Sequence, residues 1–306
     1  LEQGRFDEAE SLLLETLEAQ ERVRGREHPE TLQSMNSLAL VYWNQQRYDE
    51  AEPLYLETLE AQRRVLGEEH HATLRSMSNL ALMYWNQPRY DEAEPLFLNV
   101  IESREQVLGE EHIDTLSSMN NLAILYHLQE RYEEAEPLYV DALEGQERVL
   151  GEDHPTTLHS MNNLAYLYFG QGRYDEAEPL SLNALEGRQR VLGEEHIDTL
   201  SSMNNFGGLR VMQGRYEEAD RLLRTALDAR LRVLGEDHPH IGYSHYNLGC
   251  LAAALGRREE ALDHLRKAVD LGWMDRDILT NVTLDPLRRD PEFDSIVAEV
   301  ENRLKR

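Results

Sequence analysis

The chain has 306 residues, of which 41% are hydrophobic and 29% charged, a composition that fits a soluble, helix-rich protein with enough apolar material for a continuous core. Its formal net charge of -27 repels phosphates and anionic lipids, so nucleic acid and membrane surfaces are improbable partners. Cys250 is the only cysteine, which excludes an intrachain disulfide and a cysteine-based zinc site and favours a reducing, cytoplasmic compartment.

The chain is predicted to begin in the middle of a repeat. Residues 1–24 are expected to form the second helix of a truncated helical hairpin. The first residue is Leu1 rather than a methionine, so we interpret the chain as a fragment of a longer protein. Residues 25–272 are expected to form six complete hairpins.

These six hairpins follow from a period of 42 residues. A histidine and a glycine recur at this interval, namely His28, His70, His112, His154, His196 and His238, and Gly25, Gly67, Gly109, Gly151, Gly193 and Gly235. A fixed period of this length is typical of repeat architectures, in which each unit packs only against its neighbours.

Each repeat is predicted to contain two antiparallel helices, as residues 151–190 illustrate. Leu158, Met161, Leu164, Ala165 and Tyr168 recur every three or four residues, and therefore form one face of a first helix, helix A. Residues 171–173 interrupt this pattern, and a second apolar stripe then indicates helix B. The short loop makes the two helices antiparallel neighbours.

Proline and glycine mark the helix ends. Pro155 suits the start of helix A, where a missing N–H has no cost. Pro179 is expected within about the first turn of helix B, and Gly193 is expected to end that helix in a left-handed conformation.

The predicted fold is an all-α, right-handed superhelical solenoid of antiparallel helix pairs, because a single hairpin cannot bury its own apolar face. Residues 273–306 abandon the period and contain an amphipathic stretch at residues 294–300, so we expect a C-terminal helical cap. Asp285-Pro286 and Asp290-Pro291 are interpreted as helix-start and turn signals.

The repeat resembles a known family. When Met161 is numbered position 4 of helix A, positions 7, 8, 11, 20 and 27 hold Leu164, Ala165, Tyr168, Ala177 and Ala184. This pattern resembles the tetratricopeptide repeat. The phrases NNLAxLY, GRYDEAEPL and RVLGxxHP most resemble the kinesin light chain type, which is similar to arrays in bacterial signalling proteins. The resemblance covers nearly the whole chain and implies a peptide-binding or scaffold role without naming the ligand.

Asparagines recur on helix A outside the packing stripe of positions 4, 7, 8 and 11. Position 5 holds Asn36, Asn120, Asn162 and Asn204, and position 6 holds Asn79, Asn121, Asn163, Asn205 and Asn247. A carboxamide both donates and accepts hydrogen bonds, which suits the backbone of an extended peptide. The resemblance implies that helix A lines a concave groove in which such asparagines contact a peptide. The alternative is that they bond neighbouring helices and hold the repeat geometry.

Aromatic side chains share the face of position 5. Trp43, Trp85, His127 and Phe169 occupy position 12, and Tyr166 occupies position 9. Large rings beside carboxamides are typical of peptide grooves, so these residues complete the predicted peptide-binding set. Packing between repeats is the alternative interpretation.

The periodic charged residues are interpreted as structural. The six histidines lie one per repeat, too far apart to share a zinc ion, so a loop or helix-start role is expected and neither a metal nor a cofactor is predicted. Arg22, Arg64, Arg148, Arg190 and Arg232 each follow an acid by four residues, a favourable pair on a solvated helix face. Acidic pairs such as Asp175-Glu176 suit the positive end of helix B.

The fifth repeat departs from the others at Phe206-Gly207-Gly208. Two glycines weaken a helix by about 1 kcal/mol each relative to alanine, so we expect the array to be softest there. A hinge or a close approach of a ligand is the functional interpretation, and neutral drift is the alternative.

Three functional hypotheses remain. The first is a non-catalytic scaffold that binds a protein or peptide segment in the helix A groove, since the sequence contains no GxSxG, HExxH or GxxxxGK(S/T) phrase. The second is a regulatory segment that acts in cis on a signalling ATPase or a serine/threonine kinase. The third is a self-assembling array, although a monomer is favoured.

Overall fold

The structure confirms the hairpins and gives their bounds. The computed structural model describes residues 2–275 and 277–304, and within this part of the chain all regular structure is helical. The helices are α1 (Glu2–Arg24), α2 (Pro29–Asn44), α3 (Tyr48–Val65), α4 (His71–Asn86), α5 (Tyr90–Leu108), α6 (Ile113–Leu128), α7 (Tyr132–Leu150), α8 (Pro155–Gly170), α9 (Tyr174–Leu192), α10 (Ile197–Met212), α11 (Tyr216–Leu234), α12 (Pro239–Ala254), α13 (Arg258–Asp270), α14 (Asp277–Thr280) and α15 (Pro291–Leu304). A 3-10 helix, Val282–Leu287, lies between the last two.

The chain divides into two compact units, residues 1–149 and residues 150–306, which we call unit 1 and unit 2. Hairpins are formed by α2 with α3 and α4 with α5 in unit 1, and by α8 with α9, α10 with α11 and α12 with α13 in unit 2. The predicted boundaries after residues 24 and 272 remain a prediction. Residues 1, 276, 305 and 306, which the predicted end segments include, lie outside the described residues.

The periodic histidines begin the A helices, as predicted. His28 is the N-cap residue of α2, and its Nδ1 accepts a hydrogen bond from the Glu30 backbone N–H at 3.3 Å. The other five histidines of the series cap α4, α6, α8, α10 and α12 in the same way. Each side chain thereby satisfies one of the free N–H groups at a helix start.

Two predictions about helix B need correction. Pro179 lies inside α9 as its sixth residue, one turn later than expected, because the helix already begins at Tyr174. Gly193 has the expected positive φ of 88°, but its ψ is 165°, so the backbone is extended rather than left-handed helical. That combination is essentially restricted to glycine, which explains the glycine at this position.

A repeated arginine joins successive hairpins. Arg131, at the start of α7, donates to Glu94 of the preceding hairpin at 2.7 Å and lies 4.0 Å from the centroid of the Tyr126 ring. Tyr126 in turn donates its hydroxyl hydrogen to Glu94 at 3.0 Å. Arg89 makes the same contacts with Glu52 and Tyr84.

The exposed arginine series keeps the predicted pairs at Arg64 and Arg148 and also has partners in the preceding hairpin. Arg148 lies 3.7 Å from Glu144, the acid four residues earlier, but 3.1 Å from Glu111 of the preceding hairpin. Arg64, Arg190 and Arg232 likewise contact an acid 37 residues earlier. These side chains are more than half exposed, so the prediction of a solvated face holds, and water and salt screen each pair.

The C-terminal segment packs on the last hairpin of unit 2. Trp273, Ile278, Leu284, Phe293 and Val300 are buried against apolar residues of α12 and α13. The predicted amphipathic stretch lies in α15, and the Asp290 carboxylate accepts from the backbone N–H of Glu292 at the helix start. These contacts cover the end of the array, as the predicted cap requires.

The two glycines of the fifth repeat leave α10 unbroken. A β-carbon on Gly207 would lie 2.7 Å from the Leu223 side chain, so α10 and α11 approach too closely there for alanine without rearrangement. A β-carbon on Gly208 would lie 3.4 Å from the Asn247 carboxamide. Close packing therefore accounts for Gly207, while the expected softness stays a prediction.

Candidate functional site

Six residues of the predicted peptide-binding set lie around one cavity in unit 2. The cavity has a volume of about 380 Å³. Its walls include Asn162, Asn163, Tyr166 and Phe169 of α8 and Asn204 and Asn205 of α10. Successive A helices therefore present their asparagines and aromatic rings to a common space.

The remaining walls were mostly missed by the sequence prediction. Tyr243, Tyr246 and Asn247 come from α12, and Trp273 and Asn281 come from the segment that follows the repeats. Asn247 continues the position-6 column, so the sequence contained a signal for it. The segment after residue 272 has no repeat partner from which its position could be inferred.

Stacked rings form two parts of the wall. Tyr166 and Phe169 are nearly parallel, at an interplanar angle of 10° and a centroid distance of 6.3 Å. Tyr246 and Trp273 stack at 4.0 Å and 16°, and Asn281 Nδ2 donates to the Tyr246 hydroxyl oxygen at 3.0 Å. Tyr246 and Trp273 are almost fully buried, whereas Tyr166 is 47% exposed. The cavity thus combines a fixed aromatic wall with an accessible ring.

The position-5 asparagines are more buried than the sequence indicated. Asn204 is 2% exposed, and Asn36 and Asn120 are each 5% exposed. The expectation that position 5 lies outside the packed face is therefore wrong for these three, because successive A helices contact each other there, as α2 with α4 and α10 with α12. Asn162 is half-buried and remains accessible.

Both interpretations of the asparagines find support in unit 2. Asn247 Nδ2 donates to the backbone carbonyl of Asn204 at 3.3 Å, which joins α12 to α10. Asn205, by contrast, is exposed, and Asn163 is half-buried. Some carboxamides therefore connect repeats, while others face the cavity.

In unit 1, the predicted residues occupy equivalent places on α2, α4 and α6. Asn79, Asn121, Trp43, Trp85 and His127 are all half-buried. Trp85 Nε1 is buried without a hydrogen-bond partner among the described residues. The His127 ring packs edge-on against Tyr132 and Tyr139, and burial lowers the pKa of His127 to about 4.

The electrostatic character of the cavity comes from one carboxylate and several neutral polar groups. Asp275 is part of the wall, and no lysine, arginine or histidine is among the described lining residues. Burial raises the pKa of the Tyr243 phenol, and the Asp275 carboxylate raises it further. The site therefore favours neutral or cationic groups over anions.

Two further observations concern metal sites and membrane-spanning helices. Within residues 2–275 and 277–304, no group of three or more histidine, cysteine, aspartate or glutamate side chains is arranged to hold a metal ion. In the same part of the chain, no helix has both the length and the apolar character needed to cross a membrane.

Comparison with family models gives matches along most of the chain. A tetratricopeptide repeat model matches residues 1–51, 78–148, 128–180, 157–232 and 207–271. A second tetratricopeptide repeat model matches residues 31–72. No curated protein matches the chain in sequence.

Solved structures with the same helical architecture are similar over most of their length. BtubC (BKLC) from P. vanneervenii is 22% identical with a TM-score of 0.66, covering 75% of this chain and 92% of that chain. The kinesin light chain TPR-like repeats of Podospora anserina are 28% identical with a TM-score of 0.59, covering 68% and 98%. The apo quorum sensor NprR from B. thuringiensis is 18% identical with a TM-score of 0.59, covering 86% and 82%.

Proposed function

Because the chain belongs to the tetratricopeptide repeat family, we propose that it is a protein-interaction scaffold that binds an extended peptide segment along its A helices. The observation that carries this proposal is the cavity of unit 2. There, asparagines from two successive A helices and aromatic rings face one space of about 380 Å³. Concave pockets of this size are typical ligand-binding sites.

The accessible asparagine and tyrosine side chains are proposed to make different contacts with the peptide. Asn162 and Asn205 can donate to and accept from a peptide backbone, since one is half-buried and the other exposed. Tyr166, which is 47% exposed, offers a rigid surface for a side chain of the peptide. In unit 1, the half-buried residues Asn79, Asn121, Trp43, Trp85 and His127 are proposed to contact peptide in the same manner.

The proposal also covers catalysis, cellular compartment, class of partner and oligomeric state, as expected from the sequence. We propose a non-catalytic, cytoplasmic protein that binds protein or peptide partners rather than nucleic acid or membranes, and that is a monomer. The net charge of -27 supports the exclusion of nucleic acid. Light scattering over a range of protein concentrations tests the monomer against the self-assembling array.

Selection from a displayed random library of peptides of about 12 residues tests the proposed function. The best peptide would carry a fluorescent label for polarisation measurements. The double variant Asn162→Ala/Asn205→Ala should weaken binding by roughly tenfold or more, because each lost hydrogen bond is worth about 0.5–1.5 kcal/mol.

Asn183→Ala is the matched control, because Asn183 is an exposed asparagine on helix B of the same hairpin. This control should bind the peptide as the unmodified chain does. If no peptides are selected, or if the double variant binds as well as the control, the proposal is wrong. Regulation in cis would then be the better hypothesis, and the full-length gene would test it.

A further inference from the structure

One column of helix B is filled by large side chains in every hairpin except the fourth. Ser181 is the exception, and it is a wall residue of the unit 2 cavity. One or more periods away, the equivalent residues are Tyr55, Phe97, Tyr139, Leu223 and Leu265, each at most 1% exposed. Serine is much smaller than any of these side chains.

The missing side chain leaves space beside helix A of the same hairpin. In the third hairpin, the Tyr139 ring reaches His127 at position 12, with a centroid distance of 6.5 Å. The equivalent pair in the fourth hairpin is Ser181 and Phe169, and both line the cavity. The cavity therefore extends into the volume that a buried ring fills in the third hairpin.

A second small residue opens the same cavity from the next hairpin. Gly208 occupies position 9 of α10 and is also a wall residue. The residues at position 9 in the other hairpins are Leu40, Leu82, Ile124, Tyr166 and Cys250. Two adjacent hairpins thus both have small side chains where this cavity lies.

An unfilled space of this kind lowers stability, because its walls lose packing contacts. Its walls also include the Tyr166–Phe169 stack and the buried Trp273, so an aromatic side chain would find ring surfaces on two sides.

The charge of the cavity walls indicates which residues should lie beside an aromatic side chain bound there. The described lining residues include the Asp275 carboxylate and no cationic side chain. The chain as a whole carries a formal charge of -27. A segment with lysine or arginine would be attracted, whereas an acidic segment would be repelled.

We propose that the cavity beside Ser181 is a specificity pocket, which takes one aromatic side chain of a bound peptide whose adjacent residues are lysine or arginine. This proposal rests on the proposed peptide-binding function and adds the class of peptide to it. Its occupant fills the space that a buried side chain of the chain itself fills in the other hairpins.

Ser181→Phe tests the pocket, because a phenyl ring at the equivalent Phe97 is 1% exposed and brings no hydroxyl that needs a partner. The probe is the best peptide from the displayed library, with a fluorescent label. Ser181→Phe should weaken its binding by roughly 30-fold, which corresponds to about 2 kcal/mol. Ser181→Leu is a second filling variant, chosen because Leu223 fills the equivalent position, in case the phenyl ring disturbs folding.

The matched control is Asn183→Phe, which adds the same ring to an exposed position of the same helix. It should leave the affinity within about threefold of the unmodified chain. Selected peptides should be enriched in an aromatic residue next to lysine or arginine, and replacing those cations with glutamine should weaken binding and reduce its salt dependence.

The outcomes separate this proposal from the proposed function. Peptides that need Asn162 and Asn205 but bind folded Ser181→Phe and Ser181→Leu at full affinity would overturn the pocket and leave the groove intact. Peptides with acidic residues beside the aromatic one would also overturn it. If the library yields no peptide at all, both proposals fail.

Discussion

Arg131 connects the third hairpin to the second, and its removal tests how much such contacts stabilise the array. Its guanidinium donates to both carboxylate oxygens of Glu94, at 2.7 and 3.1 Å. It also lies 4.0 Å from the Tyr126 ring centroid. Arg131→Ala removes these contacts together and leaves Glu94 without its guanidinium.

The expected loss can be worked from the burial of these groups. The Arg131 and Glu94 side chains are 32% and 24% exposed, so water screens the ion pair only in part, and it is worth roughly 1 kcal/mol. The cation–π contact with Tyr126 adds about 0.5–1 kcal/mol. The half-buried Glu94 left without this partner adds about 1 kcal/mol. We expect Arg131→Ala to lower the free energy of unfolding by roughly 2–3 kcal/mol.

Urea unfolding followed by circular dichroism measures this loss, and Arg148→Ala is its matched control. Arg148 also pairs with an acid 37 residues earlier, Glu111 at 3.1 Å, but the two side chains are 56% and 64% exposed. The control should change the free energy of unfolding by less than about 0.5 kcal/mol. Equal losses in the two variants would refute the argument that burial and ring stacking make the Arg131 contact stronger.

Three further predictions concern other side chains. Tyr139→Ser should lower the free energy of unfolding by about 3–5 kcal/mol, because the Tyr139 ring is 1% exposed, whereas Ser181→Phe should lower it little. Urea unfolding of both variants measures these losses, and similar losses in the two would contradict the prediction. Stability should fall as the pH drops from 6.5 to about 4, because burial lowers the pKa of His127 from its usual 6.5 to about 4 and the unfolded chain therefore binds the proton first. Urea titrations at about pH 7 and pH 5 should show a smaller fall in His127→Phe than in the unmodified chain, and equal falls would contradict the assignment. His154→Ala should cost about 1 kcal/mol by removing the N-cap of α8, and His154→Asn should restore it; melting curves that do not separate these variants would count against the cap.

The helices could be predicted from the sequence because their signals are local. The apolar stripe from Leu158 to Tyr168, Pro155 at a helix start and the 42-residue recurrence of His154 each depend on residues within one hairpin. The structure therefore agrees with the predicted hairpins. Pro179 was misplaced by one turn, since its fit within α9 depends on where the helix starts.

Contacts between hairpins were harder to predict, because they depend on the rotation from one hairpin to the next. The sequence paired Arg148 with Glu144, but the structure brings Glu111 of the preceding hairpin closer. The same rotation buries Asn204, which the sequence placed on an open face. The spacing of residues within one hairpin gives no information about this rotation.

The cavity was only partly visible in the sequence. Tyr166, Phe169 and the asparagines were found as columns, but their meeting in one space needed the structure. The sequence does show Ser181 as the one small residue at its helix B position, but its place in the cavity wall depends on the neighbouring helices. The wall formed by Trp273 could not be predicted, because it follows the end of the repeat pattern.

Nuclear magnetic resonance of methionine methyl groups tests the proposed site most directly. Met212 lines the cavity, whereas Met203 on the same helix lies in a separate pocket with Glu218 and Arg221. Titration of the carbon-13-labelled protein with a library-selected peptide should move the Met212 resonance and leave that of Met203 in place. Movement of Met203 alone, or an unchanged Met212 at saturating peptide, would contradict binding at the helix A cavity of unit 2.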